Sequence, residues 1–406
     1  MSRIHLLGVL AGLVSGLFSP SARAERPAIP LVDHVIAPGD TCAGIARRFD
    51  GDGDRWDVVH EFNPRLGPEL PHRLVPGEVL RLPPTLPPSA WVTRVVREVE
   101  HRSAAASGWS PSKPGEPLDV GFRVATREQS AARLTFRDAS ELELRQETLV
   151  VIFGRSAGQI DRRPNRARLE RGTLMSRLAA LRGEGDGLEV QSGSAVASFG
   201  AGEALMSLDE GASAVSNHAG GAVEVASADR SAKVAVAAGM GTRVEPGRAP
   251  AKPRPLPEPP RWVDDRPRTA WGLAAEQAVA QVAWAPVPGA RRYRIDLDGG
   301  EALVAGADLP PTQTSLALTG LPAGAWTVRV SVTDADALSS RPSAPIALTV
   351  AALPAEGAAR VAVGAVIRGC APDEDPTAPE VAIEAPGPRT LRCGGETRAV
   401  VAEAAP

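Results

Sequence analysis

Acidic side chains near the N-terminal end form the densest group of potential metal ligands. Asp50, Asp52 and Asp54 occupy alternate positions, and Glu61 falls where a calcium-binding EF-hand loop places its bidentate glutamate. The sixth position of such a loop needs glycine for its sharp turn, but Arg55 stands there. A solvated turn between two helices, with an aspartate capping the second, is favoured over the calcium alternative. We therefore expect no metal and no cofactor.

Recognisable catalytic arrangements are missing from the sequence. None of the six histidines has the H-E-x-x-H spacing of a zinc protease or another ligand spacing. No G-x-S-x-G elbow is present, and the glycines at 183, 185 and 187 are not followed by a capped helix that could cradle phosphate. We therefore expect no catalytic residue and a protein that is not an enzyme.

Two short helices between two strands are predicted for the segment around the acidic residues. The letters HVI indicate a strand, PGD a turn, and Asp40 or Thr41 can cap a helix that extends through Arg48. A second helix ends at Asn63-Pro64, and the stretch PGEVLRLP predicts a turn and a closing strand. Helical spacing of apolar side chains supports the first helix at Cys42, Ile45, Ala46 and Phe49.

This β-α-α-β pattern, V..PGDT...IA.RF.GD..RW..V.E.NP......PGE.LRLP, resembles the LysM domain, a small module that binds N-acetylglucosamine-containing glycans. The likeness covers residues 31–84, with Cys42 where the family usually has leucine. By resemblance, the glycan groove lies between the first strand–helix loop and the loop after the second helix. The residues that the resemblance places along its two sides are Gly39, Asp40 and Thr41, and then Arg65, Leu74 and Val75.

Residues 1–24 are predicted to be a cleaved signal peptide. Arg3 precedes an apolar run from Leu6 to Phe18, and Ala22 and Ala24 give the small-x-small pattern of a cleavage site. The run is short for a membrane span, although an uncleaved anchor is the alternative. Removal of this segment, with its two arginines and no acidic residue, changes the formal charge from −3 to −5. We expect an exported protein without a nucleic-acid partner, since that would need a basic surface.

The three cysteines have different expected roles. Cys370 and Cys393 lie close together in the sequence and could form a disulfide, which an exported protein tolerates. Cys42 occupies an apolar helix position, so a small buried hydrophobe is favoured over a reactive thiol.

Strands with alternating apolar residues fill the middle of the chain, which predicts an all-β roll or sandwich over residues 90–247. Val120, Phe122 and Val124 show this alternation. The stretch WSPSKPGEPLDVGFRVATREQSAARLTFRDASELEL, the LERGTL step and AGGAVEVAS...VAVAAGMGTRVEPG resemble the FecR family domain. One departure is Asp138-Ala139-Ser140, where family members usually have Asp-Gly-Ser.

A proline-rich linker at residues 248–266 separates this region from a third module. The stretch AVAQVAWAPVPGARRYRIDLDGG...TSLALTGLPAGAWTVRVSVTDADALSSRPSAPIALTV resembles a fibronectin type III domain, an Ig-like sandwich, over residues 267–351. Trp284 and Tyr293 are expected in its core, and the Trp326 indole N–H can replace the hydroxyl of the family's corner tyrosine. Residues 352–406 are expected to form a small β tail.

These features predict a multidomain, mainly β protein of the bacterial envelope. The leading hypothesis is a non-catalytic protein that binds peptidoglycan or a related N-acetylglucosamine polymer and an unknown envelope protein, with no membrane span after signal cleavage. The first alternative is a periplasmic FecR-type regulatory component of a sigma-factor pathway. The second is a wall-degrading enzyme, because LysM modules often accompany hydrolases.

Overall fold

A computed structural model of the chain describes residues 28–51, 53, 56–66, 74–85, 87–154, 165–178, 187–299, 302–372, 378, 380–393 and 396–404. The fold is mainly β and contains several sheets, which confirms the predicted fold class. The predicted signal peptide lies outside the described residues. Among the helices that are described, none is long and apolar enough to span a membrane.

The N-terminal module has the predicted β-α-α-β order. Its elements are β1 (Val32–Val35), α1 (Cys42–Asp50), α2 (Asp57–Phe62), a 3₁₀ turn (Pro64–Leu66) and β2 (Val79–Leu82). The two strands pair antiparallel, with Val35 opposite Val79. Ile45 of α1, Val59 of α2 and Leu80 of β2 are buried in one small core. Burial of one face of each helix fixes both helices on the same side of the two-stranded sheet.

A large β region follows and contains the FecR-like residues. Its strands are β3 (Ala90–Val96), β4 (Val99–Arg102), β5 (Ser110–Pro111), β6 (Pro117–Leu118), β7 (Arg123–Thr126), β8 (Ala131–Phe136), β9 (Glu141–Leu144), β10 (Leu149–Gly154), β11 (Asn165–Leu178), β12 (Leu188–Gln191), β13 (Ala195–Phe199), β14 (Gly202–Asp209), β15 (Ala212–Gly220), β16 (Val223–Ser227), β17 (Lys233–Val236), β18 (Met240–Val244) and β19 (Arg254–Pro255).

These strands form two sheets that share β11. The first half of β11 pairs with β10 and β12, and its second half pairs with β9 and β14. The change of sheet occurs at Gly172, whose φ is +91° and whose missing Cβ would lie 2.6 Å from the Glu147 carbonyl oxygen. A side chain at this position would clash with backbone, so glycine permits the bend. The shared strand wraps both sheets around one apolar core.

The alternation of apolar and polar residues predicts most of this core, but the strand position predicted for Val120 is wrong. Leu134, Phe136, Leu142 and Leu144 are all buried, as their period-2 spacing predicts. The strand predicted to include Val120 begins only at Arg123. Val120 lies in a turn and is 51% exposed. The prediction was wrong because the apolar alternation continues through a turn that the sequence does not mark.

The third module has an aromatic core. Its strands are β20 (Arg268–Gly272), β21 (Ala280–Ala283), β22 (Ala290–Gly299), β23 (Ala302–Leu309), β24 (Ser315–Leu318), β25 (Gly324–Asp334) and β26 (Ile346–Ala352). Trp284 and Tyr293 are buried and meet edge to face, with ring centroids 5.5 Å apart. The Trp326 indole N–H donates to the Pro322 carbonyl at 3.1 Å, which confirms the predicted replacement of the corner hydroxyl.

The C-terminal strands complete two sheets. They are β27 (Ala358–Ala362), β28 (Val366–Arg368), β29 (Cys370–Pro372), β30 (Glu380–Ala382), β31 (Gly387–Cys393) and β32 (Glu396–Glu403). Strands β28 and β30 extend the large sheet of the third module through β20. The other four form a separate sheet, within which Cys370 and Cys393 stand opposite each other and form a disulfide.

Polar contacts join the large β region to the third module. The buried His218 ring places Nε2 3.1 Å from the Ser339 carbonyl, and the Ser339 N–H donates to the Ser216 hydroxyl at 2.9 Å. An apolar contact of Ala214 with Leu338 lies beside them. These bonds connect residues more than a hundred positions apart, so the sequence does not reveal them.

Candidate glycan-binding site

The first wall of the predicted groove is the turn between β1 and α1. Asp40, with a side chain only 6% exposed, accepts hydrogen bonds from the Ala37 N–H at 2.9 Å and from Arg48 at 3.0 Å. The His34 imidazole lies 2.9 Å from the same carboxylate. These contacts, the Ala37 hydrogen bond being the strongest, lower the pKa of Asp40 below its ordinary value of 3.8. The carboxylate therefore stays charged at neutral pH and closes the turn.

Thr41 and Gly39 complete this wall. Thr41 is the N-cap of α1, because its hydroxyl accepts the Gly44 N–H at 3.0 Å. From the sequence, either Asp40 or Thr41 can cap α1. In the structure Thr41 is the cap, and Asp40 closes the preceding turn. Gly39 has a φ of +90°, and a Cβ there would meet no atom within 4 Å. The turn thus exposes backbone to solvent at the position where the resemblance places the glycan.

The second wall contains Arg65, Leu74 and Val75. Leu74 is half-buried against the module's core, whereas Val75 is 44% exposed. Arg65 is exposed, donates a hydrogen bond to the Val79 carbonyl and lies 3.8 Å from the Glu78 carboxylate. Residues 67–73 of this loop lie outside the described residues. Arg65 therefore lies at the outer edge of β2, and Val75 is an exposed apolar side chain in the described part of the loop.

Backbone hydrogen bonds bring the two walls together. The Ile36 N–H donates to the Glu78 carbonyl at 2.8 Å, and the Gly77 N–H donates to the Ile36 carbonyl at 2.9 Å. Ile36 directly precedes the first turn, and Gly77 lies two residues after Val75. The fold thus joins two sets of residues that are separated by about thirty positions in the sequence. A Cβ at Gly77 would meet no atom within 4 Å, so this junction is open to solvent.

Exposed valines form an apolar strip beside this junction. Val35 and Val79 are directly opposite each other on the solvent face of the β1–β2 pair and are 60% and 43% exposed. Val75 lies four residues before Val79, in the loop that leads into β2. Sequence reasoning did not select Val35 or Val79 as site residues, although the alternation in β2 assigns Val79 to the face opposite the core.

Asn63 is a further residue that sequence reasoning missed. It was predicted only to end α2, but its side chain is buried and makes three hydrogen bonds. The amide nitrogen donates to the Val59 and Arg81 carbonyls, each at 2.8 Å, and its oxygen accepts the Arg81 N–H at 2.8 Å. Asn63 therefore connects the end of α2 to β2 beneath the second wall. Its position before proline gave no sign of these partners.

Glu61 of the acidic group and Cys42 both lie against other side chains of the fold. Glu61 lies 3.4 Å from Arg137 of the large β region, and the parts of the chain that the structure describes contain no cluster of three potential metal ligands. Asp52 and Asp54 lie outside the described residues. Cys42 Sγ is 3.2 Å from His60 Nε2, but burial raises the pKa of this thiol, which keeps it protonated.

Comparisons with known proteins add limited information. No protein-family model and no curated protein matches this chain. Among solved structures, a putative anti-sigma factor from Parabacteroides distasonis ATCC 8503 is 16% identical with a TM-score of 0.27, and the match covers 33% of this chain and 59% of that chain. The FN1–FN3 domains of chicken CNTN1 are 8% identical with a TM-score of 0.19, with 65% of this chain and 95% of that chain covered.

The extracellular domain of the putative one component system BT4673 from B. thetaiotaomicron is 10% identical with a TM-score of 0.18, and the match covers 57% of this chain and 35% of that chain. This chain thus spans less than two thirds of the anti-sigma factor and of this extracellular domain. The TM-scores are too low to transfer a function.

The buried carboxylate of Asp40 predicts a pH dependence of glycan binding. Its pKa is lowered in the fold, so the stabilisation of the turn is present above the ordinary value of 3.8 and is lost as the pH falls through the folded-state pKa. Retention on chitin beads, a neutral ligand that does not itself titrate, should be constant from about pH 7 to pH 5 and fall below about pH 4. Asp40→Asn should weaken retention about fivefold at neutral pH.

Asp33→Asn is the matched control for loss of a carboxylate, because Asp33 is exposed, lies outside the Asp40 turn and makes only a 3.8 Å ion pair with Arg81. It should retain the pH profile of the unmodified protein. Identical profiles for the two variants would show that the Asp40 turn has no role in binding.

Proposed function

We propose that this chain is a non-catalytic binding and scaffold protein of the bacterial envelope. Its N-terminal module would bind peptidoglycan or a related N-acetylglucosamine polymer, and its β modules would present a surface to another envelope protein. The observation that supports this proposal is the junction between the two walls, where Ile36 exchanges backbone hydrogen bonds with Gly77 and Glu78. This junction brings together the two walls of the groove that the LysM resemblance predicts, namely the turn at Gly39–Thr41 and the loop that contains Val75.

The chemistry of the junction suits an amino sugar. Exposed backbone near Gly39 offers N–H and carbonyl groups to acetamido substituents, and exposed Val75 offers apolar cover to a methyl group or a sugar ring. The adjacent pair of Val35 and Val79 would extend this apolar cover. One small module should bind weakly, and a polymer with many repeated sites would increase retention.

A truncation tests the glycan assignment. The full chain should pellet with purified peptidoglycan, and a fragment that begins at Leu82 should remain in the supernatant, because it lacks both walls. Equal pelleting of the two proteins would show that binding resides in the β modules and would contradict the assigned site. Circular dichroism of the fragment checks that the β modules remain folded.

A FecR-type regulatory component of a sigma-factor pathway is the second candidate. The sequence resemblance of residues 90–247 to the FecR domain supports it, as does the all-β arrangement of these residues in two sheets around one core. This role needs a membrane anchor or a membrane partner. Cell fractionation with and without detergent separates the candidates: release only with detergent favours regulation, and release with wall digestion favours the glycan role.

A further inference from the structure

Three arginines form a row across neighbouring strands of the sheet that contains β4, β7, β10 and β11. Arg102 of β4 is directly opposite Arg123 of β7. Arg123 is opposite Val151 of β10, and Val151 is opposite Arg168 of β11. Residues opposite each other in adjacent strands lie on the same face of a sheet. The three guanidinium groups therefore project from one face, along a line that crosses four strands.

This face is the outer one. Val124, Ile152 and Ala167 are sequence neighbours of the row and belong to the apolar core between the two sheets. Successive side chains in a strand point to opposite faces, so the row points away from the core. Three strand intervals give a length of about 14 Å. That is about the length of four to five residues of extended chain.

Aromatic rings support two of the three arginines. The Arg102 guanidinium carbon is 5.1 Å from the centre of the Trp109 ring, and that of Arg168 is 5.3 Å from the centre of the Phe153 ring. Stacking on a ring restricts a guanidinium group while leaving its N–H donors available. The two ends of the row are therefore ordered before any ligand arrives.

The row is not neutralised by the described part of the chain. Glu100, on the same strand as Arg102, is paired with Arg127, and Glu189 is paired with Arg230. Within the residues that the structure describes, Arg102, Arg123 and Arg168 form no ion pair with a carboxylate. The Arg102 Nε atom is also buried without a hydrogen-bond partner. Unpaired cationic groups on an ordered sheet face are typical of a surface that receives an anionic partner.

We propose that the row of Arg102, Arg123 and Arg168 binds an extended acidic segment of a partner protein. Carboxylates fit the planar guanidinium fork with two parallel hydrogen bonds, and the length of the row matches a short extended peptide. Three arginines are fewer than the cluster of about four to eight basic residues that is typical of a surface for anionic lipid, so a short acidic peptide is the better fit. This inference deepens the protein-binding part of the proposed function and is independent of the glycan-binding part.

Fluorescence anisotropy of a labelled octapeptide with alternating Glu and Thr tests this proposal on the full chain. The unmodified protein should bind this probe at low salt, and the variant with Arg102→Gln, Arg123→Gln and Arg168→Gln should bind it about tenfold more weakly. The matched control has the same charge change at exposed positions outside the row, as Arg248→Gln, Arg261→Gln and Arg360→Gln. It should retain the affinity of the unmodified protein.

Three results would overturn the proposal. They are no binding of the Glu–Thr peptide, an equal loss of affinity in both triple variants, and binding of phosphatidylglycerol vesicles without binding of the peptide. A Gln–Thr octapeptide should not bind, and its binding would also count against recognition of carboxylates. Retention of the first triple variant on chitin should be unchanged, so failure of this proposal is distinguishable from failure of the glycan assignment.

Discussion

Replacement of Asn63 by alanine is expected to unfold the N-terminal module and abolish its binding to glycan. The Asn63 side chain makes three hydrogen bonds of 2.8 Å, two of them with the backbone of Arg81. Removal would leave the Val59 carbonyl without this partner in a buried place and the Arg81 N–H and carbonyl without theirs in a partly buried one. A buried backbone group that loses its partner costs about 1–3 kcal/mol, so the total is about 3 kcal/mol or more.

The small size of the module makes this cost decisive. Its core is one small cluster of buried apolar residues, which includes Ile45, Val59 and Leu80. A module of this size has only a few kcal/mol of stability to lose. The loss of Asn63 would also separate α2 from β2, which together support the second wall of the groove.

Hydrogen exchange measured by mass spectrometry tests this expectation. Peptides from residues 31–84 of Asn63→Ala should exchange as an unfolded chain, while peptides from the β modules should exchange as before. Glu78→Ala is the matched control, since this exposed side chain makes only a 3.8 Å ion pair with Arg65 and should change stability by less than about 1 kcal/mol. Unchanged exchange in Asn63→Ala would show that the three bonds do not hold the module.

Replacement of Arg294 by methionine is expected to destabilise the contact between the large β region and the third module. The Arg294 side chain is 7% exposed and pairs with Asp296 at 2.8 Å and with Asp308 at 3.3 Å. Arg145 of the large β region lies 4.0 Å from Asp296, and Gln146 donates to Asp308 at 3.0 Å. Two arginines and two aspartates thus balance each other where the modules meet.

The balance of charge among these four side chains explains how much stability the Arg294→Met variant should lose. Burial, and then the like charge of Arg294, lower the pKa of Arg145 to about 10, which leaves it charged at neutral pH. Without Arg294, Arg145 is the remaining arginine of this cluster, and it lies close only to Asp296. Asp308 therefore loses its arginine partner. Loss of one partner from a fully buried ion pair costs about 3–5 kcal/mol. Because Asp296 and Asp308 are 37% and 30% exposed, water screens part of this loss and we expect about 1–2 kcal/mol.

Hydrogen exchange of β22 reports this loss directly. Exchange of its protected amides in Arg294→Met should accelerate by roughly tenfold, which corresponds to about 1.4 kcal/mol. Arg291→Met is the control, because its ion pair with Asp209 is largely exposed. A similar small change in both variants would mean that water screens the Arg294 cluster and that it contributes little.

Local features of the fold could be predicted from the sequence. The spacing of Cys42, Ile45 and Ala46 predicted α1, and alternation from Leu134 to Leu144 predicted two buried strands. These patterns depend on neighbours within one element, so periodicity reveals them. Val120 is the exception, since an alternating apolar residue also occurs in a turn.

Contacts between distant segments could not be predicted. Nothing near Asn63 indicates its bonds to Arg81, and nothing near Arg102 indicates that Arg123 and Arg168 share its face. The Asn63 bonds join residues 18 positions apart through the packing of α2 on β2. The arginine row depends on strand register, which pairs residues 17 to 28 positions apart along it. The LysM resemblance therefore selects the two walls of the groove, whereas the Asn63 hydrogen bonds and the arginine row are visible only in the fold.

An amide chemical-shift titration of the full chain with a soluble N-acetylglucosamine oligomer tests the central claim most directly. The glycan-binding account predicts that the largest shifts occur at Gly39, Asp40 and Thr41 and at Val75, with the amides of the β modules unaffected. Shifts confined to the β modules, or no shifts at concentrations that saturate retention on chitin, would contradict the assignment of the groove.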